Sequence, residues 1–239
     1  MTRTVLVTGA DRGLGFGLCA GLVKQGWTVF AGQYLPEWHE LRDLKNDYLE
    51  SLHLIPFDVS SMESVKSAKE MIQTQTDHLD VLISNAGVNS ETIYVGIREP
   101  QDYNEMHRLY DINALGALRV VEVFLPLMEQ AQTKRLCFVS SEAGSIGAAE
   151  RTSWFGYCMS KAALNMGIKI LYNDLHAAGY TFRVYHPGWV RSYLHGVKNM
   201  QAELEPEEAA HIAIPILLNE RTDENRLVLE DFEGKEWPW

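Results

Sequence analysis

Short apolar runs alternate with longer amphipathic stretches along the whole chain. Strand-like runs occupy Thr4–Thr8, Thr28–Gly32, Leu52–Phe57, Val81–Ser84, Arg135–Ser140, Phe182–His186 and Arg226–Leu229. In several of them apolar residues fall on both parities, as in Val5-Leu6-Val7 and Val81-Leu82-Ile83. That is the pattern of parallel strands covered on both faces. Between the runs, spacing of three and four predicts helices over Gly15–Gln25, Ser61–Thr76, Tyr103–Met128, Tyr157–Ala177 and Glu207–Leu218. Met62, Val65, Ala68, Met71 and Ile72 form the apolar stripe of one helix. Leu109, Ile112, Leu115, Leu118, Val121 and Leu125 form that of the longest. Such alternation predicts an α/β doubly wound parallel sheet of about seven strands, with helices on both faces. No repeat, low-complexity stretch or linker interrupts it, so residues 1–239 read as a single domain. Ligands of such sheets bind beyond the carboxyl ends of the strands.

Charge and composition narrow the function classes. Against 21 Lys and Arg stand 32 Asp and Glu, a formal net charge of -11. General binding to nucleic acid or to an anionic membrane needs a basic surface and is not expected. No apolar run approaches the ~18 residues of a membrane span, and the stretch Ile212–Leu218 is interrupted by Pro215. The start, Met1-Thr2-Arg3 followed by Thr4-Val5-Leu6-Val7, has no secretory apolar region. Cys19, Cys137 and Cys158 show no pairing or ligand spacing, and none of the eight histidines forms an HxxH or HExxH pair. A reduced, soluble, cytoplasmic protein without a metal is the expectation.

The first strand ends in Thr8-Gly9-Ala10-Asp11-Arg12-Gly13-Leu14-Gly15. Gly9 suits a tight turn, Gly13 lets backbone approach a pyrophosphate, and Gly15 permits close helix–sheet packing. A glycine cluster alone is often only a turn. Placed between the first strand and a helix, it points to dinucleotide binding on a Rossmann-type sheet. The second strand closes on Ala31-Gly32-Gln33-Tyr34, with no carboxylate to hold a ribose 2′-hydroxyl. Arg12 supplies a positive charge instead, so NADP is favoured over NAD, unless Arg12 is simply solvated surface. Asp58-Val59 follows the third strand, where the carboxylate either meets an adenine amino group or caps the next helix. Asn85-Ala86-Gly87 follows the fourth and suits backbone lying against a ribose.

Tyr157 and Lys161 stand at i and i+4, on one helix face and about 6 Å apart along its axis. A nearby ammonium favours phenolate and would draw a tyrosine down toward acid/base range. Such pairs also arise by chance. Taken with Thr8-Gly9-x-x-x-Gly13-x-Gly15, Asp58-Val59, Asn85-Ala86-Gly87, Asn113, Ser141 and Pro187-Gly188-x-x-x-Ser192, however, the chain resembles the short-chain dehydrogenases/reductases nearly end to end. Ser140–Ile146, Ser160–Met166, His186–Val190 and the ending Gly234–Trp239 resemble its branch of C-factor-type and sniffer-type carbonyl reductases.

The resemblance implies an NAD(P)-dependent oxidoreductase that interconverts a small-molecule carbonyl compound and an alcohol. Tyr157 would be the acid/base, Ser141 would polarise the carbonyl, Lys161 would bind the nicotinamide ribose, and Asn113 would hold a relay water. Pro187, Gly188, Val190 and Ser192 would meet the nicotinamide amide, and Leu14 would join the glycine turn. A homodimer or homotetramer paired through helices 103–128 and 157–177 is also implied. Two readings from other classes compete: a dinucleotide-sensing or signalling protein with little turnover, and a structural oligomer subunit.

The chain departs from the family pattern in places. Ser141 and Tyr157 are separated by about three residues more than usual, with Glu150-Arg151-Thr152 as the extra loop, which leaves Ser140 and Ser141 both open as the polarising serine. Tyr34 stands where the branch often has Arg, and Ser192 where Thr is commoner. Trp154, Phe155, Trp189 and Tyr193 flank the site and either line a pocket or are ordinary packing. His186 is expected to end a strand. The acidic run Glu203–Glu208 reads as a charged first helical turn.

Overall fold

Two hydrophobic cores sandwich one sheet, and the both-parity strands are the reason. The computed structural model describes residues 3–90, 94–194 and 196–239. Its strands are β1 (Thr4–Val7), β2 (Thr28–Gln33), β3 (Leu52–Pro56), β4 (Val81–Ser84), β5 (Arg135–Val139), β6 (Thr181–His186), β7 (Leu229–Asp231) and β8 (Glu236–Trp237). They run in the order β3-β2-β1-β4-β5-β6-β7-β8. Every neighbouring pair is parallel except β7 with β8. Leu6, Phe30, Leu82 and Phe138 face one core and Val5, Val29, Ile83 and Cys137 the other.

The first core is covered by α3 (Met62–Gln73), α5 (Gly116–Glu129) and α6 (Phe155–Leu175), the second by α1 (Gly13–Lys24) and α7 (Pro206–Leu218). The remaining helices are α2 (Glu40–Asp47) and α4 (Tyr103–Tyr110). Chain order reverses between β1 and β4, which opens a crevice at their carboxyl ends.

The fold class is as expected, with an eighth strand. Three details differ. The long helix predicted over 103–128 is divided into α4 and α5 by a π turn, Asp111–Leu115. The wider turn re-phases the helix, so Val120 and Phe124 face inward while Leu118 stays partly exposed. The last predicted strand starts later, at Leu229, and α2 was not anticipated because Leu41 is its single buried residue. The acidic run does open α7, where Glu205 and Glu208 form a reciprocal capping box.

Candidate active site

The glycine turn is built against the segment after β4. Thr8 Oγ1 accepts from the amides of Asn85 (3.1 Å) and Ala86 (3.0 Å), and Asn85 Nδ2 donates to the carbonyls of Thr8 (2.9 Å) and Gly9 (3.0 Å). Gly9 has φ 62°, and a Cβ there would lie 2.8 Å from Ala86 Cα. At Gly15 a Cβ would lie 2.1 Å from the Gly9 carbonyl oxygen. Gly15 therefore keeps the turn itself closed, and the helix–sheet packing role expected of it is secondary. Gly13 faces Ser192 across the cleft. With no side chain filling the cradle, the N-terminus of α1 is bare, an arrangement suited to a phosphate.

Around this cradle the cleft is lined by Gly9, Arg12, Gly13, Leu14, Gly15, Asp58, Val59, Asn85, Ala86, Gly87, Ser141, Tyr157, Lys161, Pro187, Gly188, Val190 and Ser192. Asp11, overlooked in the sequence, is buried and accepts from the amides of Tyr34 (3.2 Å) and Leu35 (2.8 Å), fixing the end of β2. The Arg12 guanidinium is packed between aromatic rings, 4.6 Å from Trp38 and 4.8 Å from Tyr193. Arg12 is thus no freely solvated side chain, and it makes no ion pair among the described residues. Asp58 binds the Ser60 amide (2.8 Å) and hydroxyl (2.6 Å), whereas α3 is capped by Ser61, so Asp58 is not the helix cap.

Asn113 sits in the π turn. Its Oδ1 accepts from Val88 N (2.8 Å), and its Nδ2 donates to Val88 O (2.9 Å) and Ser160 Oγ (3.0 Å). The side chain, 1% exposed, clamps the segment after β4 and does not line the cleft. Both its donors are taken, so its amide hydrogens are not available to the relay water expected there.

Tyr157 and Lys161 project from the first turns of α6. Lys161 Nζ donates to Val139 O at 3.0 Å and lies 5.8 Å from the centre of the Tyr157 ring. Burial alone draws the Lys161 ammonium down to about 8. The Tyr157 hydroxyl is pushed up to about 12 by burial, with Ser141 acting in the opposite direction. The expected downward pull of Lys161 on the phenol is therefore not the dominant effect here; desolvation is.

The two candidate serines part ways. Ser140 Oγ donates to Asn165 Oδ1 at 2.6 Å within the protein interior. Ser141 starts a short helical turn, its Oγ accepting from Ala143 N at 3.1 Å, and it borders the cavity shared with Tyr157, Trp154, Trp189 and His186. His186 ends β6 as expected and also borders that cavity, while its ring packs edge-on against Trp237.

A sheet reversing at a glycine cradle, with a buried tyrosine and lysine lining the same cleft, defines a dinucleotide-type α/β oxidoreductase site. Residues 3–203 match the model of the short chain dehydrogenase family, and the chain belongs to that family. It is 32% identical over 238 residues to an uncharacterised oxidoreductase of Schizosaccharomyces pombe, covering 96% of this chain and 90% of that one. It is 35% identical over 164 residues to the C-signal protein of Myxococcus xanthus, covering 69% of this chain and 95% of that one. The NADPH-bound carbonyl reductase from chicken fatty liver superposes with a TM-score of 0.85 at 26% identity, over 100% of this chain and 99% of that one.

Proposed function

We propose that the protein is an NADP-dependent carbonyl reductase, acting on a small ketone or aldehyde or on the corresponding alcohol in reverse. One observation carries the reading: Tyr157 and Ser141 open onto the same cleft as the glycine cradle, with Lys161 buried at its floor. The likeness to an NADPH-bound carbonyl reductase supports it.

The cradle fits a dinucleotide: Gly9 and Gly15 let the turn close against Ala86 and on itself, which leaves the N-terminus of α1 facing the cleft. The α1 N-terminus and Gly13 would face the pyrophosphate, Asp58 and Val59 the adenine, and Arg12 a 2′-phosphate. Asn85–Gly87, Pro187, Gly188, Val190 and Ser192 would enclose the nicotinamide half. When bound, the cofactor supplies a hydride to the carbonyl carbon. The Tyr157 hydroxyl gives its proton to the carbonyl oxygen, which Ser141 holds by a hydrogen bond. Lys161 would offer its ammonium to the cofactor's ribose hydroxyls; Asn113 keeps the wall around Gly87 in place through Val88.

The test is a panel of carbonyl compounds and alcohols scanned with NADPH and NADH, followed by Tyr157→Phe. Turnover should fall by about 10²–10⁴ while folding and cofactor affinity survive. Ser141→Ala should lower turnover, and Ser140→Ala should act on stability instead. Near wild-type reduction by Tyr157→Phe would sink the mechanism. It would favour a dinucleotide-binding signalling protein, the reading to which the likeness to C-signal lends weight.

A further inference from the structure

Trp154 is the only non-glycine residue with positive φ (71°) among the described residues. A bulky side chain in left-handed backbone is strained, and such strain persists only where its surroundings enforce it. Here the surroundings are specific. The indole stacks on the Tyr157 ring, with centroids 5.1 Å apart and planes 18° from parallel. Its Nε1 donates to Asn89 Oδ1 at 3.0 Å. The Arg151 guanidinium lies 4.9 Å from the indole ring, and its two terminal nitrogens donate to the Glu142 carboxylate at 2.9 and 2.7 Å.

Each contact comes from a different part of the cleft. Asn89 follows β4, and its amide donates to the carbonyl of Leu194 in the segment after β6. Glu142 is the neighbour of Ser141. Arg151 belongs to the extra loop, which thereby gains a purpose: it holds the indole against Tyr157. The same indole walls the cavity that Ser141, Tyr157, Trp189 and Leu194 border. Glu142 and Arg151 satisfy one another, so that cavity presents the indoles of Trp154 and Trp189, the polar groups of Asn89, Ser141, His186 and Ser192, and no unpaired charge among the described residues.

We propose that Trp154 is a positioning residue for Tyr157 and the shape-determining wall of the substrate cavity, selecting uncharged carbonyl compounds with a flat apolar substituent. The substrate half of this inference rests on the carbonyl-reductase reading; the positioning half does not. By covering one face of the Tyr157 ring, the indole fixes the plane from which the phenol can reach a carbonyl oxygen. It also excludes water from that side.

Two variants test it. Trp154→Gly removes the indole and suits the left-handed backbone, so it should fold. Trp154→Phe keeps a ring but loses the bond to Asn89. With an aryl methyl ketone, Trp154→Gly should lose about tenfold or more in kcat while KM and cofactor Kd move less. Its kcat/KM for a diaryl ketone relative to the aryl methyl ketone should rise as the wall recedes. Trp154→Phe should fall between. Spectrophotometric titration of Tyr157, read as the difference from the same protein carrying Tyr157→Phe, should move from about 12 toward the ordinary ~10 in Trp154→Gly.

Wild-type kcat, substrate ranking and phenol titration in Trp154→Gly would overturn the proposal. If the wild-type protein reduces no carbonyl compound, the functional reading and the substrate half fall together. The titration then decides the positioning half, for it when the phenol shifts down and against it when it does not.

Discussion

At the scale of single residues, Lys161 is the most costly member of the site. It is 4% exposed, its ammonium is drawn down to about 8 from 10.5, and among the described residues no carboxylate pairs with it. Between these values the unfolded chain binds more protons than the folded one, so this group makes stability rise with pH across that window. Below about pH 8 the full penalty of burying the charge applies, of order 3 kcal/mol. Lys161→Met should therefore raise the unfolding free energy at neutral pH by about 2 kcal/mol, after allowing ~1 kcal/mol for the lost bond to Val139. The gain should shrink as pH rises from about 8 and reverse before pH 10.5, where the penalty is nearly gone and only the lost bond remains; thermal unfolding as a function of pH checks it. Arg12 carries a second prediction. Held between Trp38 and Tyr193, it is already positioned at the cleft, and Arg12→Ala should weaken NADPH binding by a few-fold to about a hundredfold with little effect on NADH. Calorimetric titration of both decides this, and equal losses for the two would place the 2′-phosphate elsewhere.

Much at this scale was legible because it is local. A turn needs its glycines within a few positions, and a tyrosine–lysine pair needs only the helical repeat. Ser140 and Ser141 were not separable, because both border the cleft and what sets them apart is the bond of the Ser140 hydroxyl to Asn165 across the fold. Trp154 was legible as a residue flanking the site, but nothing in the sequence announces its left-handed backbone, which is held by contacts with Asn89, Arg151 and Tyr157 together. Arg12 was visible as a charge, but its aromatic clamp joins residues far apart in sequence.

At the scale of elements, the π turn at Asp111–Leu115 matters most. Apolar spacing predicts a continuous helix there, since it carries no mark of a single widened turn. The turn brings Asn113 to Val88, and through Val88 it holds the wall formed by Asn85–Gly87. Asn113→Ala removes three hydrogen bonds to a buried amide. It should destabilise the protein by roughly 1.5–3 kcal/mol and accelerate hydrogen exchange at the Val88 amide. Exchange unchanged at Val88 would mean that the clamp is replaceable. The edge elements were least legible. β8 has two residues and α2 one buried apolar side chain, too few to establish a period, and both are defined by what they pair with.

At the scale of the whole molecule, the expected pairing of helices takes a sharper form. Most of the stripe on the longest helix packs inward. On α6, Met159, Met166 and Ile170 are exposed at 62%, 62% and 60%, and their spacing aligns them on the face opposite Tyr157 and Lys161. Leu118 of α5, 37% exposed, lies against Gly167 beside them. Such a patch on a chain of net charge -11 suits a second copy better than an anionic surface. Light scattering should find a dimer or tetramer, and Ile170→Lys should yield monomers. A wild-type monomer at tens of micromolar would leave the stripe without a partner.

The far end of the chain closes back on the site. Ser145 Oγ donates to the Pro238 carbonyl, and Gly147 N to that of Trp239 at 2.9 Å. The Trp237 indole is held by Asp231 at 2.8 Å and packs on His186. The turn behind Ser141 is therefore braced by residues far along the chain, whereas the hydrogen bonds that close the cradle run between β1 and the segment after β4. Loosening residues 236–239 should thus disturb the surroundings of Ser141 while leaving the glycine cradle intact, so the two halves of the cleft can fail separately.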